Sequence, residues 1–136
     1  MRSSHADAGN VSDVLIDTSA WVEALRRGGE PGTRDTVREA MVDGRARLCE
    51  LVVLELWNGA RGTAEAAMLR RIEAELELLP MTAPVWQRAY ALARACRSDG
   101  LTIPAIDIAI AACARHYGAT LLHRDEHFDR MPRESR

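Results

Sequence analysis

Val14-Leu15-Ile16-Asp17-Thr18-Ser19 joins three apolar residues, two of them β-branched, to a carboxylate and two hydroxyls. So short an apolar run, bounded by polar residues, fits a central strand covered on both faces, as in a parallel sheet. In open α/β sheets the ligand crevice lies beyond the carboxyl ends of the strands. Asp17 therefore stands where chemistry is placed. Taken alone, it is equally well explained as the cap of a helix starting near Ala20.

Working outward, spacing predicts a helix over 20–27, with Trp21, Val22 and Leu25 on one side and Gly28-Gly29 at its end. Thr33 is a candidate N-cap for a helix reaching Asp43. Residues 46–49 form a short extended segment. Residues 51–61 make a helix on the three-residue spacing of Leu51, Leu54 and Trp57. Leu69, Ile72, Leu76 and Leu79 mark a further amphipathic helix, ended by Pro80 or followed by a brief strand over 78–81. Another helix spans 83–99. Pro104 opens one that runs to Tyr117, and 119–123 is a strand followed by a polar turn, Arg124-Asp125-Glu126-His127. Strands alternating with helices imply right-handed crossovers and a parallel sheet of four to five strands with helices on both faces.

The chain's 136 residues suffice for one domain with a core of its own. Residues 1–13 are expected to be a disordered tail, 14–131 the domain and 132–136 a short C-terminal tail. No apolar run approaches the roughly 20 residues of a membrane span, and 1–13 lack the apolar core of a signal peptide. Cys49, Cys96 and Cys113 are odd in number and widely spaced, which suits small buried hydrophobes in a reducing cytoplasm rather than disulfides. All 18 basic residues are arginine. The missing lysine excludes P-loop chemistry. A net charge of −2 gives no global attraction for nucleic acid, so any such site is local.

The most informative residue is Asp107, set in Pro104-Ala105-Ile106-Asp107-Ile108-Ala109-Ile110-Ala111-Ala112-Cys113-Ala114. That helix has almost no polar face. A first-turn aspartate gains about 0.3–1 kcal/mol from the helix dipole, whereas an unpaired buried carboxylate costs several kcal/mol. Asp107 therefore calls for a cation, a metal or an arginine, or for a dense set of hydrogen-bond donors. Glu55 is a similar lone acid inside Leu51-Val52-Val53-Leu54-Glu55-Leu56-Trp57, and Asp125 follows a buried strand much as Asp17 does. If Asp17, Glu55, Asp107 and Asp125 converge at one sheet edge, they repel unless divalent cations lie among them. Hard oxygen donors of this kind suit Mg²⁺ or Mn²⁺, ions that promote phosphodiester cleavage.

These motifs, in this order and at these intervals, resemble the PIN-domain ribonucleases, and among them the VapC toxins of bacterial type II toxin–antitoxin systems. The likeness runs from Val14 to about Met131 and rests on VLIDTSAW, LELWNGAR, IPAIDIAIAACA and ATLLHRDEHFDR. It implies a three-layer PIN-like α/β fold and a Mg²⁺- or Mn²⁺-dependent endoribonuclease with Asp17, Glu55, Asp107 and Asp125 as catalytic, metal-site acids. It gives Thr18 or Ser19 a hydroxyl role toward the metal shell or a neighbouring carboxylate. It implies cleavage of tRNA or rRNA, arrest of translation, an inhibitory VapB antitoxin whose C-terminal segment fills the cleft, a homodimer and a toxin–antitoxin hetero-oligomer, with no membrane partner. Arg61, Arg124, His127, Trp21 and Trp57 are candidate contacts to RNA or antitoxin. Many relatives carry a second acid at the position of His127, which is open to being a ligand, an RNA contact or a solvated loop residue.

Two other readings compete. A haloacid-dehalogenase-type phosphatase or a receiver domain also places an aspartate at a strand end, but both need a lysine, and the former wants an aspartate where Ser19 stands. A non-catalytic PIN-like module binding RNA or a partner is disfavoured by four intact acids.

Overall fold

The computed structural model describes residues 11–133. Its elements follow in the order β1 (Val14–Ile16), α1 (Thr18–Leu25), α2 (Pro31–Val42), β2 (Ala46–Leu48), α3 (Glu50–Gly59), α4 (Gly62–Glu75) and β3 (Glu77–Leu78), then α5 (Ala83–Ser98), α6 (Ala105–Tyr117), β4 (Thr120–Leu122) and α7 (His127–Arg130). The four strands form one parallel sheet in the order β3-β2-β1-β4, within a three-layer α/β arrangement. Val14 pairs with Ala46 on one side and Thr120 on the other, and Leu15 with Arg47 and Leu121. β1 is thus flanked on both edges, and all three of its residues are buried.

The strand order decides where a site can form. From β1 the chain steps outward through β2 to β3, then returns to lay β4 against the opposite edge of β1. That reversal opens a crevice between the carboxyl ends of β1 and β4. The Asp17 amide donates to the Leu122 carbonyl at 2.9 Å, fixing the two strand ends side by side. Behind them, α6 buries seven consecutive residues, Ile108 to Ala114, as its uniformly apolar composition requires. Gly118 caps α6 at φ 68°, a left-handed conformation that glycine adopts without a Cβ penalty.

Several local expectations are corrected. Glu30, not Thr33, caps α2: its carboxylate accepts from the Gly32 and Thr33 amides, while Pro31 supplies a preset φ at the first helical position. In α3 the buried line passes through Val52, and Leu54 is 61% exposed, because the helix turns Leu51 and Leu56 toward its neighbours instead. The polar segment after β4 contains a turn of helix, α7. The expected disordered tail falls mostly on residues 1–10, outside the described residues, as do 134–136. Ser12 and Asp13, by contrast, are tied down, Ser12 by Thr120 at 2.7 Å and Asp13 by Arg47 at 3.2 Å and by the Thr120 amide. All three cysteines are free and buried, and no described helix is long and apolar enough to cross a membrane.

Leu15 is fully buried in the central strand. Leu15→Ala is expected to lower the unfolding free energy by about 2–5 kcal/mol in urea titration, and a loss below about 1 kcal/mol would contradict this account of the core.

Candidate active site

The acidic cluster is assembled at the carboxyl ends of β1 and β4. Asp17 ends β1 and is the N-cap of α1; it is 3% exposed. Its Oδ2 accepts from the Ser19 amide at 3.0 Å and from the Ser19 hydroxyl at 2.6 Å, whereas its buried Oδ1 has no partner among the described residues. Capping, the modest explanation of this residue, is therefore real and occupies only one of the two oxygens. The next residue, Thr18, donates its hydroxyl to Glu55 Oε1 at 2.6 Å, so α1 holds the α3 carboxylate in place. Ser19 Oγ also accepts from the Arg124 amide at 2.9 Å, which ties the start of α1 to the loop after β4.

Asp107 enters from the first turn of α6 and Asp125 from the loop after β4. His127, the first residue of α7, lies between them: its Nδ1 is 3.3 Å from Asp107 Oδ2 and 3.1 Å from Asp125 Oδ1, and its amide donates to Asp125 Oδ1 at 2.9 Å. One ligand atom from each of these three residues lies within 4.8 Å of the others. His127 is therefore no solvated loop residue.

The four carboxylates act on one another. Burial pushes the Asp107 carboxyl above its ordinary value, and the negative charges of Asp17, Asp125 and Glu55 push the same way, with only the His127 hydrogen bond opposing them. A raised carboxylate pKa of this origin is a property of clefts that do chemistry or bind cations. Thr18 and Glu55 also line a cavity of about 430 Å³ between α1, α3 and α4, with Val22, Leu56 and Met68 in its walls.

The candidate contact residues divide. Trp21 is 1% exposed and packs in the core, so it offers nothing to RNA or to an antitoxin; its apolar neighbours on β1 and α1 claim the ring. Trp57 bridges α3 to α4, donating its indole N–H to Glu73 at 2.6 Å beneath the Arg70 guanidinium. Arg61 and Arg124 are exposed. His127 is placed by the short turn of α7.

A PIN domain model matches residues 14–134. The chain belongs to the PIN-domain family. It is 37% identical to VapC ribonuclease Mb1587 of Mycobacterium bovis over 88% of this chain and 92% of that protein. It is 28% identical to ribonuclease VapC21 of Mycobacterium tuberculosis, over 86% and 84% respectively. Among solved structures, VapBC2 from Rickettsia felis, bound to a fragment of its promoter DNA, superposes with a TM-score of 0.75 at 20% identity, over 88% of this chain and 92% of that one. Mycobacterium tuberculosis VapC20, described as a toxin cleaving the sarcin-ricin loop, superposes with a TM-score of 0.61 at 21% identity, over 86% and 93%. At these identities the structural likeness establishes the fold.

Because Asp107 binds its proton more tightly folded than unfolded, its contribution to stability is full at acid pH and is lost as pH rises through the raised folded value. At neutral pH the ionised side chain is a burden on the metal-free PIN domain. Asp107→Asn is expected to raise the melting temperature in EDTA at pH 7, with the gain shrinking on acidification. A variant that melts lower than wild type in EDTA at pH 7 would refute this electrostatic account.

Proposed function

We propose that this PIN domain is a divalent-metal-dependent endoribonuclease, the VapC-type toxin of a toxin–antitoxin pair. The observation that carries the reading is the buried Asp17 Oδ1, left without a partner among the described residues, together with an Asp107 carboxyl that burial and the charges of Asp17, Asp125 and Glu55 all push upward. A buried oxygen in that position costs free energy unless something outside the protein satisfies it. Asp17, Glu55, Asp107 and Asp125 would hold the cation, and their all-oxygen donor set suits Mg²⁺ or Mn²⁺. When bound, such an ion supplies Lewis-acid stabilisation of phosphoryl charge and activates water at neutral pH.

The chain's own residues do the positioning. Ser19 and Thr18 each spend a hydroxyl proton on one oxygen of a carboxylate, which fixes the rotamers of Asp17 and Glu55 and leaves their other oxygens for the cation. With the acids neutralised, the cleft accepts a polyanion that it would otherwise repel. The RNA ribose-phosphate chain enters across the carboxyl ends of β1 and β4, flanked by the exposed Arg124. VapC relatives and VapBC structural neighbours support a VapB antitoxin as the inhibitory partner. The apolar cavity beside Glu55 suits a segment of that antitoxin, and a homodimer is the expected unit of assembly. Translation would stop through loss of tRNA or rRNA.

The test is incubation of the purified chain with total RNA in Mg²⁺, in Mn²⁺ and in EDTA. Cleavage in the metal arms, none in EDTA, and at least about a 100-fold loss in a correctly folded Asp107→Asn variant are expected. Cleavage that survives EDTA, or wild-type protein inert in every arm, overturns the proposal. Thr18→Val, which removes only the hydroxyl that orients Glu55, is expected to lose about 10- to 100-fold in metal affinity or rate.

A further inference from the structure

The position of His127 raises a question that a purely acidic cluster does not. One nitrogen, Nδ1, stands 3.3 Å from an Asp107 oxygen and 3.1 Å from an Asp125 oxygen. A neutral imidazole Nδ1 offers a single proton or a single lone pair, so it cannot form a good hydrogen bond to both carboxylates at once. These separations match a different arrangement. Donor atoms on neighbouring corners of an octahedral ion with bonds of about 2.1 Å sit about 3 Å apart. The Asp125 loop is held by its own hydrogen bonds: the His127 amide donates to Asp125 Oδ1, and the Asp125 amide donates to His123 Nδ1 at 3.2 Å. Independently of this trio, Asp17 Oδ1 is buried without a partner among the described residues and lies within electrostatic reach of Asp107.

We infer that His127 Nδ1 is itself a cation ligand, completing the site with Asp107 and Asp125 and biasing it toward first-row transition ions over Mg²⁺. The inference rests on the reading of the cluster as a cation centre and adds which donor sets its preference. Imidazole nitrogen favours transition ions, whereas Mg²⁺ holds to oxygen donors. Mn²⁺, the weakest binder of the first-row series, is still expected to outcompete Mg²⁺ here. His127→Asp converts the trio to oxygen donors alone and so removes the bias.

The test uses the full chain and Mn²⁺ as the probe, read by electron paramagnetic resonance with pulsed detection of nitrogen coupling. Wild type is expected to bind Mn²⁺ and to show directly coordinated imidazole nitrogen. That signal should vanish in His127→Gln and in His127→Asp, with Mn²⁺ still bound. The Mg²⁺ concentration that displaces half of the Mn²⁺ should fall at least about tenfold in His127→Asp. The wild-type spectrum is decisive even if a variant misfolds. Mn²⁺ bound with oxygen coordination only, or nitrogen coupling that persists in His127→Gln, overturns the role of His127 and leaves the cation centre standing. Failure of wild type to bind Mn²⁺ at all overturns both.

Discussion

Like charges gathered at the mouth of a parallel sheet are the constraint to which the rest of the molecule answers. Two unit charges about 4 Å apart at an effective dielectric of about 20 repel by about 4 kcal/mol, while a domain of this size is stable by only about 5–15 kcal/mol. A handful of such pairs would consume the whole margin. The fold meets the problem from below, not at the site. Fully buried Leu15 and Ile16, pinned between β2 and β4, and the seven buried residues of α6 form the rigid floor on which Asp17 and Asp107 are mounted. Burial raises the Asp107 pKa, and the charges of Asp17, Asp125 and Glu55 push it the same way. A cation bound among them, as proposed above, would offset that repulsion.

Much of this was legible in the amino-acid order, and the reasons are physical. β1 and α6 declare themselves because each is apolar on every side and carries one carboxylate at a terminus, which no solvent face explains. The amphipathic stripe of α5, with Val85, Ala89, Leu92 and Cys96 all buried, follows directly from helical spacing. α3 was harder. Its apolar residues outnumber the positions that can face inward, so spacing alone could not choose between a line through Leu54 and one through Val52. Tertiary contact chose Val52 and left Leu54 in solvent.

The same limit applies around the site. Trp21 follows closely on Asp17 in sequence, yet a helix that caps on Asp17 turns its fourth residue inward, where the ring is consumed by the core. His127 looked like part of a polar turn because a single turn of helix leaves no periodic signature. Because α7 starts two residues after Asp125, the imidazole Nδ1 folds back to 3.1 Å from Asp125 and 3.3 Å from Asp107. Capping by the Glu30 carboxylate escapes the sequence pattern for a related reason: Thr33 has the usual capping chemistry, but here its hydroxyl donates to Glu30 at 2.6 Å.

The paired hydroxyls after Asp17 tie three elements together at this turn. Consecutive residues at a strand-to-helix junction point in divergent directions, so Thr18 reaches α3 while Ser19 turns back to Asp17 and receives the Arg124 amide. One dipeptide thus references Glu55, Asp17 and the β4 loop to a common origin. Three elements brought together across 37 and 105 residues of sequence are held to hydrogen-bond precision by it. An unliganded cluster of mutually repelling acids would otherwise spread apart, and the ordering cost would fall on cation binding. Anchoring each carboxylate through one oxygen transfers that cost to folding, where the buried sheet and α6 supply the stability to meet it.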